Sequence, residues 1–356
     1  MNEYSTKKSI LGTTLNELIN EFSEKGFSKL DAKRVFPWIH PKLANSFDEM
    51  SDLPKDIREK LHTFFSLERP KCEILQESYD GAKKALLQFQ DSKSVETVFI
   101  PEEKRNTICI SSQVGCPIGC KFCNTGTQTF QRNLTSSEIM AQIIYWLEKQ
   151  RQLKADPITN IVFMGMGEPI LNAKNLFSTL EILLNKKTYN FSRHKITVST
   201  SGIIDNSINE LAKFGVKLAI SLHASNDIQR SSLMPINNKY KISELLAAAK
   251  RYLNQSKTNH ITFEYLLLAN VNDSKESASQ LYNLLKSFGN KCRVNLIVFN
   301  SWNGTKFQGS SKETANEFSK FLLSKGIRTI IRKSRGQDIM AACGQLKSEK
   351  IHENNN

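Results

Sequence analysis

The chain has 356 residues, of which 39% are hydrophobic and 24% charged, and this is typical of a globular protein that buries a large core without disulfide crosslinks. No stretch approaches the roughly 18 apolar residues of a membrane-spanning helix, and the first ten residues lack the apolar run of a secretion signal, so we expect a cytoplasmic protein with no membrane segment. Lys and Arg outnumber Asp and Glu by 49 to 35, which gives a formal net charge of +14 and suits either a polyanionic partner or a generally well-solvated surface.

Residues 1–70 have the pattern of a small helical domain. Thr14 and Glu17 are spaced as a capping box, and apolar residues follow them at helical spacing. A second helix is predicted to end before Pro41 and a third to begin near Pro54, because proline stops a helix but is tolerated in its first turn.

Residues 71–105 change to a β pattern. The runs CEILQES, KALLQFQ and SVETVFI are short and strand-like, and the turn-prone segments DGAK and DSKS separate them. They predict a small antiparallel element that links the helical domain to the rest of the chain.

Strands and helices alternate from residue 106 to about 345, which predicts parallel strands joined by crossover helices. The fold class is therefore α/β, and six or seven such units favour a partial (β/α)6 barrel, with a doubly wound open sheet as the alternative. Residues 346–356 are polar and are predicted to form a disordered tail. The strand candidates are NTICISS, NIVFMG, ITVSTS, LAISLH, ITFEYLL, VNLIVFN and RTIIRK.

Residues that could carry chemistry lie on or just after these strands. In a barrel the carboxyl ends of the strands meet at one end of the molecule, so we expect these side chains to share a site. They are Cys109 on the first strand, Gly167 and Glu168 after the second, Ser199 on the third, His223 after the fourth and Asn300 after the sixth.

The number of cysteines is odd, seven in all, which argues against a disulfide framework. Three of them lie within eight residues, and this crowding indicates a metal centre. Cys116, Cys120 and Cys123 form a C-x3-C-x2-C pattern in the loop after the first barrel strand. Thiolates are favoured by iron–sulfur clusters and by zinc. Three ligands would leave one iron of a 4Fe–4S cluster open for a substrate or cofactor. A zinc site completed by Cys109 or Cys343 is the alternative.

The cysteine loop resembles that of the radical S-adenosylmethionine superfamily over residues 106 to about 300. More motifs, in one order along nearly the whole chain, resemble the RlmN/Cfr family of RNA methyltransferases. The resemblance implies one 4Fe–4S cluster held by Cys116, Cys120 and Cys123, and two molecules of S-adenosylmethionine per turnover. The motifs are SVETVFIP, CISSQVGCPIGCKFCNTG, RNLTSSEI, FMGMGEPILN, STSGI, LAISLHASND, MPIN, LIVFN and AACGQL.

The same resemblance implies three catalytic residues. Cys343 would be the methyl carrier, because carbon 2 of adenine is not a nucleophile whereas a thiolate is one. Cys109 would resolve a protein–RNA adduct through a disulfide with Cys343, and Glu96 would remove the ring proton. Each has a simpler alternative, since buried cysteines are usually inert and a lone strand glutamate is usually solvated.

The resemblance also implies the cofactor-binding residues. A carboxylate at Glu168 could accept from the ammonium group of the methionine moiety, and a glycine at 167 allows close backbone approach. Serine and asparagine at strand ends often only cap helices, and a lone histidine is more often a hydrogen-bonded core residue. The set is Gly167, Glu168, Ser199, Ser221, Leu222, His223 and Asn300.

The substrate implied by the family is an adenine in the peptidyl transferase centre of 23S rRNA and, in addition, the adenine beside the anticodon of tRNA, both methylated at carbon 2. The helical domain would bind RNA, an electron donor such as flavodoxin would reduce the cluster, and the protein would be a monomer. Because no basic tail carries the excess charge, any RNA surface must be built by folding. The candidate RNA contacts are Arg105, Lys121, Arg132, Arg332, Lys333 and Arg335.

Two other functions stay open at this point. A Cfr-type enzyme would methylate carbon 8 of the same adenine with the same cysteines, although Pro169 after Glu168 and Ser201 in STSG resemble the carbon-2 branch. A non-catalytic RNA-binding protein with a structural metal is the alternative from another class.

Overall fold

The N-terminal helical domain is present in the computed structural model, which describes residues 7–348. It contains α1 (Leu15–Glu24), α2 (Lys29–Ile39) and α3 (Lys55–Phe64), and a parallel ribbon of β1 (Lys8–Ser9) and β2 (Phe65–Ser66). The capping box at the start of α1 is confirmed, because the Glu17 backbone N–H donates to the Thr14 hydroxyl and the Glu17 carboxylate accepts from the Thr14 backbone N–H.

The antiparallel element that follows this domain consists of β3 (Lys71–Glu77), β4 (Lys83–Gln88) and β5 (Ser94–Glu102). These strands pair in sequence order, and β5 pairs antiparallel with β6 (Arg105–Cys109). The element thus extends one side of the main sheet, and the three strands expected from the alternating pattern are confirmed.

The main sheet has seven parallel strands, and all seven candidates of the sequence form one. They lie side by side in chain order, with no reversal. A doubly wound sheet reverses its strand order at a switch point, so the sequential order supports the barrel-type arrangement, with RTIIRK adding a seventh strand to the expected six. The strands are β6, β9 (Asn160–Phe163), β10 (Ile196–Thr200), β11 (Lys217–Ser221), β12 (Ile261–Leu267), β13 (Cys292–Val298) and β14 (Arg328–Ile331); a small ribbon of β7 (Gln113–Val114) and β8 (Arg132–Asn133) lies between β6 and β9 in the chain.

Helices link consecutive parallel strands and bury the apolar face of the sheet. Trp146, Phe163, Tyr252 and Phe263 are among the largest fully buried side chains. Within residues 7–348 we find no helix of the length and apolarity that crossing a bilayer requires. The helices are α4 (Ser136–Gln152), α5 (Ala173–Leu184), α6 (Asn206–Phe214), α7 (Asp227–Leu233), α8 (Ile242–Gln255), α9 (Lys275–Leu285) and α10 (Lys312–Ser324).

The segment after β14 returns across the molecule to the antiparallel element. The Gly336 N–H donates to the Asp80 carboxylate over 3.0 Å, and the Lys84 ammonium donates to the Met340 carbonyl over 3.4 Å. Leu346, which lies within the predicted tail, is buried. The rest of the predicted tail, residues 349–356, lies outside the described residues.

Candidate active site

A cavity opens at the carboxyl edge of the parallel strands, between the cysteine loop and the loop that carries Cys343. Nine of the thirteen predicted site residues line it. Leu222, Asn300, Cys109 and Glu96 do not. The nine are Cys116, Cys120, Cys123, Gly167, Glu168, Ser199, Ser221, His223 and Cys343.

The cysteine loop is tightly folded by its own backbone. The Cys123 N–H donates to the Cys120 carbonyl, and the Gly126 N–H donates to the Cys123 carbonyl, over 3.1 and 3.0 Å. A Cβ at position 126 would lie 2.7 Å from the Cys120 oxygen, so this turn requires glycine. Ile118 and Phe122 provide an apolar cover beside the thiols.

The three thiols are suited to a positively charged cofactor. Burial raises the pKa of each, to about 12 for Cys116. Repulsion from neighbouring cysteines adds to the shift, from within the cluster loop for Cys116 and Cys120 and from Cys343 for Cys123. A bound metal cluster reverses this balance, because its positive charge stabilises thiolates. Among the described residues no three Cys, His, Asp or Glu side chains are gathered closely enough to hold a single metal ion. A cubane engages each thiolate through a different iron and so accepts wider spacing.

Glu168 is a buried carboxylate at the wall of the cavity. One of its oxygens accepts from the Ser201 N–H over 2.6 Å, and the other accepts from the Ile170 N–H over 3.2 Å. Burial raises the pKa of Glu168, and the Ser201 contact opposes this. Gly167 has φ +94° and lies so close to Gln113 that a Cβ would come within 2.5 Å of its side chain. The glycine therefore lets the chain that carries Glu168 pass close to β7, which leads into the cysteine loop.

A buried arginine that the sequence analysis missed fixes the strand ends around this carboxylate. Arg230 donates to the backbone carbonyls of Ser201 and Ser221 over 2.7 and 3.0 Å, and to that of Leu222 over 3.1 Å. The ends of β10 and β11 are thus held together. Leu222 is itself fully buried, so only its backbone is placed near the site.

His223 follows β11 in a left-handed conformation, with φ +55°, which is uncommon for a residue other than glycine and often marks a functional site. Its Nδ1 accepts from the Leu266 N–H over 3.0 Å. Burial lowers the pKa of His223 to about 3, with Arg230 adding to the effect. The ring is therefore neutral at physiological pH, and because Nδ1 accepts, its proton is on Nε2. It packs edge-on against Phe122, at 4.9 Å between centroids.

Besides the Ser201 hydroxyl, two buried polar atoms near the site have no hydrogen-bond partner within residues 7–348. One is Nδ2 of Asn300, whose Oδ1 accepts from Gln337. The other is Oε2 of Glu264, whose Oε1 accepts from Asn295 over 2.9 Å. An unpaired buried polar atom costs about 1–3 kcal/mol, so both atoms point to a polar ligand. Glu264 lines the cavity, and the sequence analysis missed it although an acidic residue stands alone in the apolar strand ITFEYLL.

The two cysteines predicted to act in catalysis are electrostatic neighbours. Burial raises the pKa of Cys109 to about 12, and Cys343 adds to it. Desolvation by the surrounding cavity wall raises the pKa of Cys343 although its side chain is accessible from the cavity, and the Arg332 guanidinium opposes this rise. Cys343 is exposed where it lines the cavity, Cys109 is buried on β6, and both are free thiols in this structure.

Glu96 lies on β5, buried at 4% exposure, and both of its oxygens are engaged. Oε1 forms an ion pair with the Lys84 ammonium at 2.8 Å, and Oε2 accepts from the Lys347 N–H over 2.7 Å. Burial raises its pKa and Lys84 opposes this. Glu96 is thus held by the segment that follows Cys343.

Three of the six candidate RNA contacts already form ion pairs within the protein. Arg105 pairs with Glu102, Arg132 with Asp91 and Glu138, and Arg335 with Asp80. Arg332 lines the cavity. Burial lowers its pKa, but Cys343, Glu264 and Cys109 together outweigh burial, so the pKa is raised overall. Lys121 and Lys333 are exposed.

The chain is similar to known proteins in family, in sequence and in structure. The model of the radical SAM superfamily matches residues 110–281, and that of the ribosomal RNA large subunit methyltransferase N-terminal domain matches residues 8–67. The chain is 43% identical over 354 residues to a dual-specificity RNA methyltransferase RlmN of Francisella tularensis subsp. novicida, covering 98% of this chain and 95% of that one. A relative of the same description from subsp. holarctica is 42% identical over the same lengths.

A solved structure agrees with these matches. The crystal structure of a radical SAM methyltransferase from Sphaerobacter thermophilus is 40% identical, with a TM-score of 0.90, and the match covers 96% of this chain and 100% of that chain. Fold and sequence similarity thus extend over both the N-terminal domain and the strand–helix core.

Proposed function

Because this chain belongs to the RlmN family of radical S-adenosylmethionine methyltransferases, we propose that it methylates carbon 2 of an adenine in 23S rRNA and in tRNA. The observation that carries this proposal is that Cys343 faces the same cavity as Cys116, Cys120 and Cys123. A cluster site alone fits many radical enzymes, whereas a further thiol opposite it fits a methyl carrier.

The cofactors of this family are one 4Fe–4S cluster and S-adenosylmethionine, two molecules of which are used per turnover. When bound, they supply a 5′-deoxyadenosyl radical after one-electron reduction. Cys116, Cys120 and Cys123 hold the cluster. Glu168 accepts from the ammonium group of the amino-acid moiety, since its buried carboxylate faces the cavity. Asn300 and Glu264 each contribute a buried polar atom that lacks a partner among the described residues.

Cys343 takes the methyl group on its sulfur after losing its proton, and Arg332 favours the thiolate that this step needs. Once the 5′-deoxyadenosyl radical has taken one hydrogen atom from the S-methyl group, the S-bound carbon would bond to carbon 2 of the adenine, and the adduct would lose its ring proton to Glu96 and one electron back to the cluster. The Cys109 thiolate would then attack the sulfur of Cys343, so that the carbon–sulfur bond breaks, a disulfide forms between the two cysteines, and the released carbon takes up a proton to become the methyl group. The support for this pairing is their electrostatic proximity beside Arg332.

Glu96 removes the ring proton of the adenine. Since its Oε2 accepts from the Lys347 N–H, the segment after Cys343 has to move for this oxygen to reach a base. Lys84 remains beside the other oxygen and favours the ionised carboxylate, in opposition to burial, which raises the pKa of Glu96.

The RNA is bound in the cytoplasm by a monomer whose N-terminal domain, residues 1–70, contacts folded RNA, and the cluster receives its electron from a donor such as flavodoxin. The matches to RlmN relatives and to the rRNA methyltransferase N-terminal domain support this assignment. They also favour carbon 2 over carbon 8.

The decisive experiment is mass spectrometry of nucleosides from unmodified 23S rRNA, incubated anaerobically with reconstituted protein, reductant and S-adenosylmethionine. A 2-methyladenosine peak that the Cys343→Ala variant does not give is expected. An 8-methyladenosine peak would move the chain to the Cfr branch. Absence of both products and of 5′-deoxyadenosine from an iron-loaded sample would support the non-catalytic alternative.

A further inference from the structure

The positive charge of the chain is concentrated in the six segments that lead from the last turn of a helix into the next parallel strand. These segments contain 17 of the 49 Lys and Arg residues but one of the 35 Asp and Glu residues, Asp156, a formal net charge of +16. The remaining 32 basic and 34 acidic residues give −2. The segments, here called the basal face, are residues 149–159, 185–195, 213–217, 250–260, 286–293 and 325–328.

Folding gathers these six segments at one end of the molecule. All seven strands are parallel, so the segments that enter the strands lie together, opposite the end at which the catalytic cavity opens. Register places Arg293 of β13 directly beside Arg328 of β14. With strands about 4.8 Å apart, the row extends over about 30 Å.

The basic side chains of the basal face are accessible. None of the 17 is buried; 13 are exposed and four are half-buried. Among the described residues Lys213 is the single one of them with an ion pair, to Glu210. The face therefore presents cations that the protein itself does not neutralise.

These cations repel one another. Partial burial lowers the pKa of Lys217, and Arg293, Lys195 and Arg105 lower it further. Burial, followed by Arg293 and Lys217, lowers the pKa of His260 to about 4. Mutual repulsion of this kind destabilises the unliganded fold and is relieved when a polyanion binds.

Helix dipoles explain only part of the pattern. A cation in the last turn of a helix gains about 0.3–1 kcal/mol from the partial negative charge there. Lys195, Lys257 and Lys291, however, lie beyond the ends of α5, α8 and α9, next to the strands that follow. Their position is explained better by a ligand that covers the strand entrances.

We propose that the basal face is a second, sequence-independent RNA-binding surface, which holds backbone phosphates of a large RNA substrate away from the target adenine. This rests on the proposed function, since it assumes an RNA substrate. The strands that separate this face from the cavity are up to seven residues long, about 20 Å. A short hairpin docked at the cavity is too small to reach around the strands and the helices that cover them to the basal face. A folded rRNA domain is large enough. An acidic electron-donor protein fits less well, because the same distance would separate it from the cysteine loop.

The test compares two triple variants of the holoenzyme. Lys195, Lys257 and Lys291, each replaced by Gln, remove three exposed charges from the basal face. Lys275, Lys312 and Lys320, each replaced by Gln, remove three exposed charges from α9 and α10 as the matched control. Dissociation constants are measured against salt for an rRNA domain transcript and for a short hairpin with the target adenine. Methylation of both RNAs and reduction of the cluster by flavodoxin are measured in parallel.

For the rRNA domain the basal variant is expected to bind about 10- to 100-fold more weakly at 0.15 M salt, with a salt slope shallower by about 2 to 3. Hairpin binding and the control variant should be unaffected. Equal loss for both RNAs, equal loss in the control variant, or no loss would each overturn the proposal. Slower cluster reduction with unchanged RNA binding would overturn it as well and assign the face to the donor. A wild-type protein that binds but does not methylate would instead refute the proposed activity, so the two failures are distinguishable.

Discussion

The backbone N–H of Asn124 donates to the carbonyl oxygen of Gly344 over 2.7 Å, so the loop of the cluster cysteines is joined directly to the loop that carries Cys343. The Asn124 side-chain amide donates to the Gln345 carbonyl over 3.0 Å, and the Thr125 hydroxyl to the Leu346 carbonyl over 2.6 Å. The position of the Cys343 thiol, the proposed methyl carrier, thus depends on the cysteine loop itself.

Asn124→Ser should therefore loosen the Cys343 loop while the backbone bond to Gly344 is kept. Losing one hydrogen bond of about 1 kcal/mol should slow methylation of Cys343 several-fold, as measured by mass spectrometry of the intact protein, and should raise amide exchange in residues 342–348. The iron content should not change. Asn254→Ser on the exposed side of α8 is the matched control. Unchanged exchange in residues 342–348 would show that the side-chain bond does not hold the loop.

Cys343 and Cys109, the two cysteines proposed to act in catalysis, should differ sharply when each is replaced. Cys343→Ala should abolish methyl transfer with a normal cluster spectrum, because the nucleophile is gone. Cys109→Ala should accumulate a covalent protein–RNA adduct on denaturing gels, because nothing then attacks the sulfur of Cys343. Cys292→Ala, which removes a buried thiol on β13 that does not line the cavity, should cost stability without giving an adduct. A Cys109→Ala enzyme that releases product normally would remove Cys109 from the mechanism.

Glu264 should contribute to cofactor binding, although no motif marked it. Its Oε2 is buried and has no partner within the described chain, while Asn295 holds the other oxygen. Glu264→Gln should weaken S-adenosylmethionine binding by about 10- to 100-fold, the range for a hydrogen bond that involves a charged group. Equilibrium binding to the cluster-loaded protein measures this, and the exposed Glu276→Gln is its control. Equal affinities in the two variants would exclude Glu264 from the cofactor site.

Much of the fold follows from local pattern. Thr14 and Glu17 cap α1 through contacts three residues apart, and the seven strand candidates alternate with helices, so short-range rules find them. Strand-end residues such as Glu168 and Ser199 meet because parallel strands share an edge. Contacts between residues distant in sequence, such as Asn124 with Gly344 or Glu96 with Lys347, carry no local signal. Composition gives the net positive charge of the chain, whereas the parallel strand order is needed to place the basic segments together on one face.

Acid should weaken the contact between the N-terminal domain and the core through His40. This residue ends α2, is fully buried, and packs edge-on against Tyr189 of the core at 5.7 Å between centroids. Burial lowers its pKa from 6.5 to about 3. The unfolded state therefore binds the proton more tightly, and the free energy of unfolding falls as pH drops from 6.5 towards 3, by about 1.4 kcal/mol per pH unit.

His40→Leu should remove this pH dependence. Between pH 7 and pH 5 the free energy of unfolding of the wild type should fall by about 2 kcal/mol more than that of the variant. Urea unfolding at both pH values, with the exposed His194→Gln as the control, measures the difference. Because His40 lies where α2 meets the core, amide exchange at pH 5 should increase first in α1 and α2 of the wild type and not of His40→Leu. Parallel loss of stability in both proteins would assign the acid sensitivity to other groups.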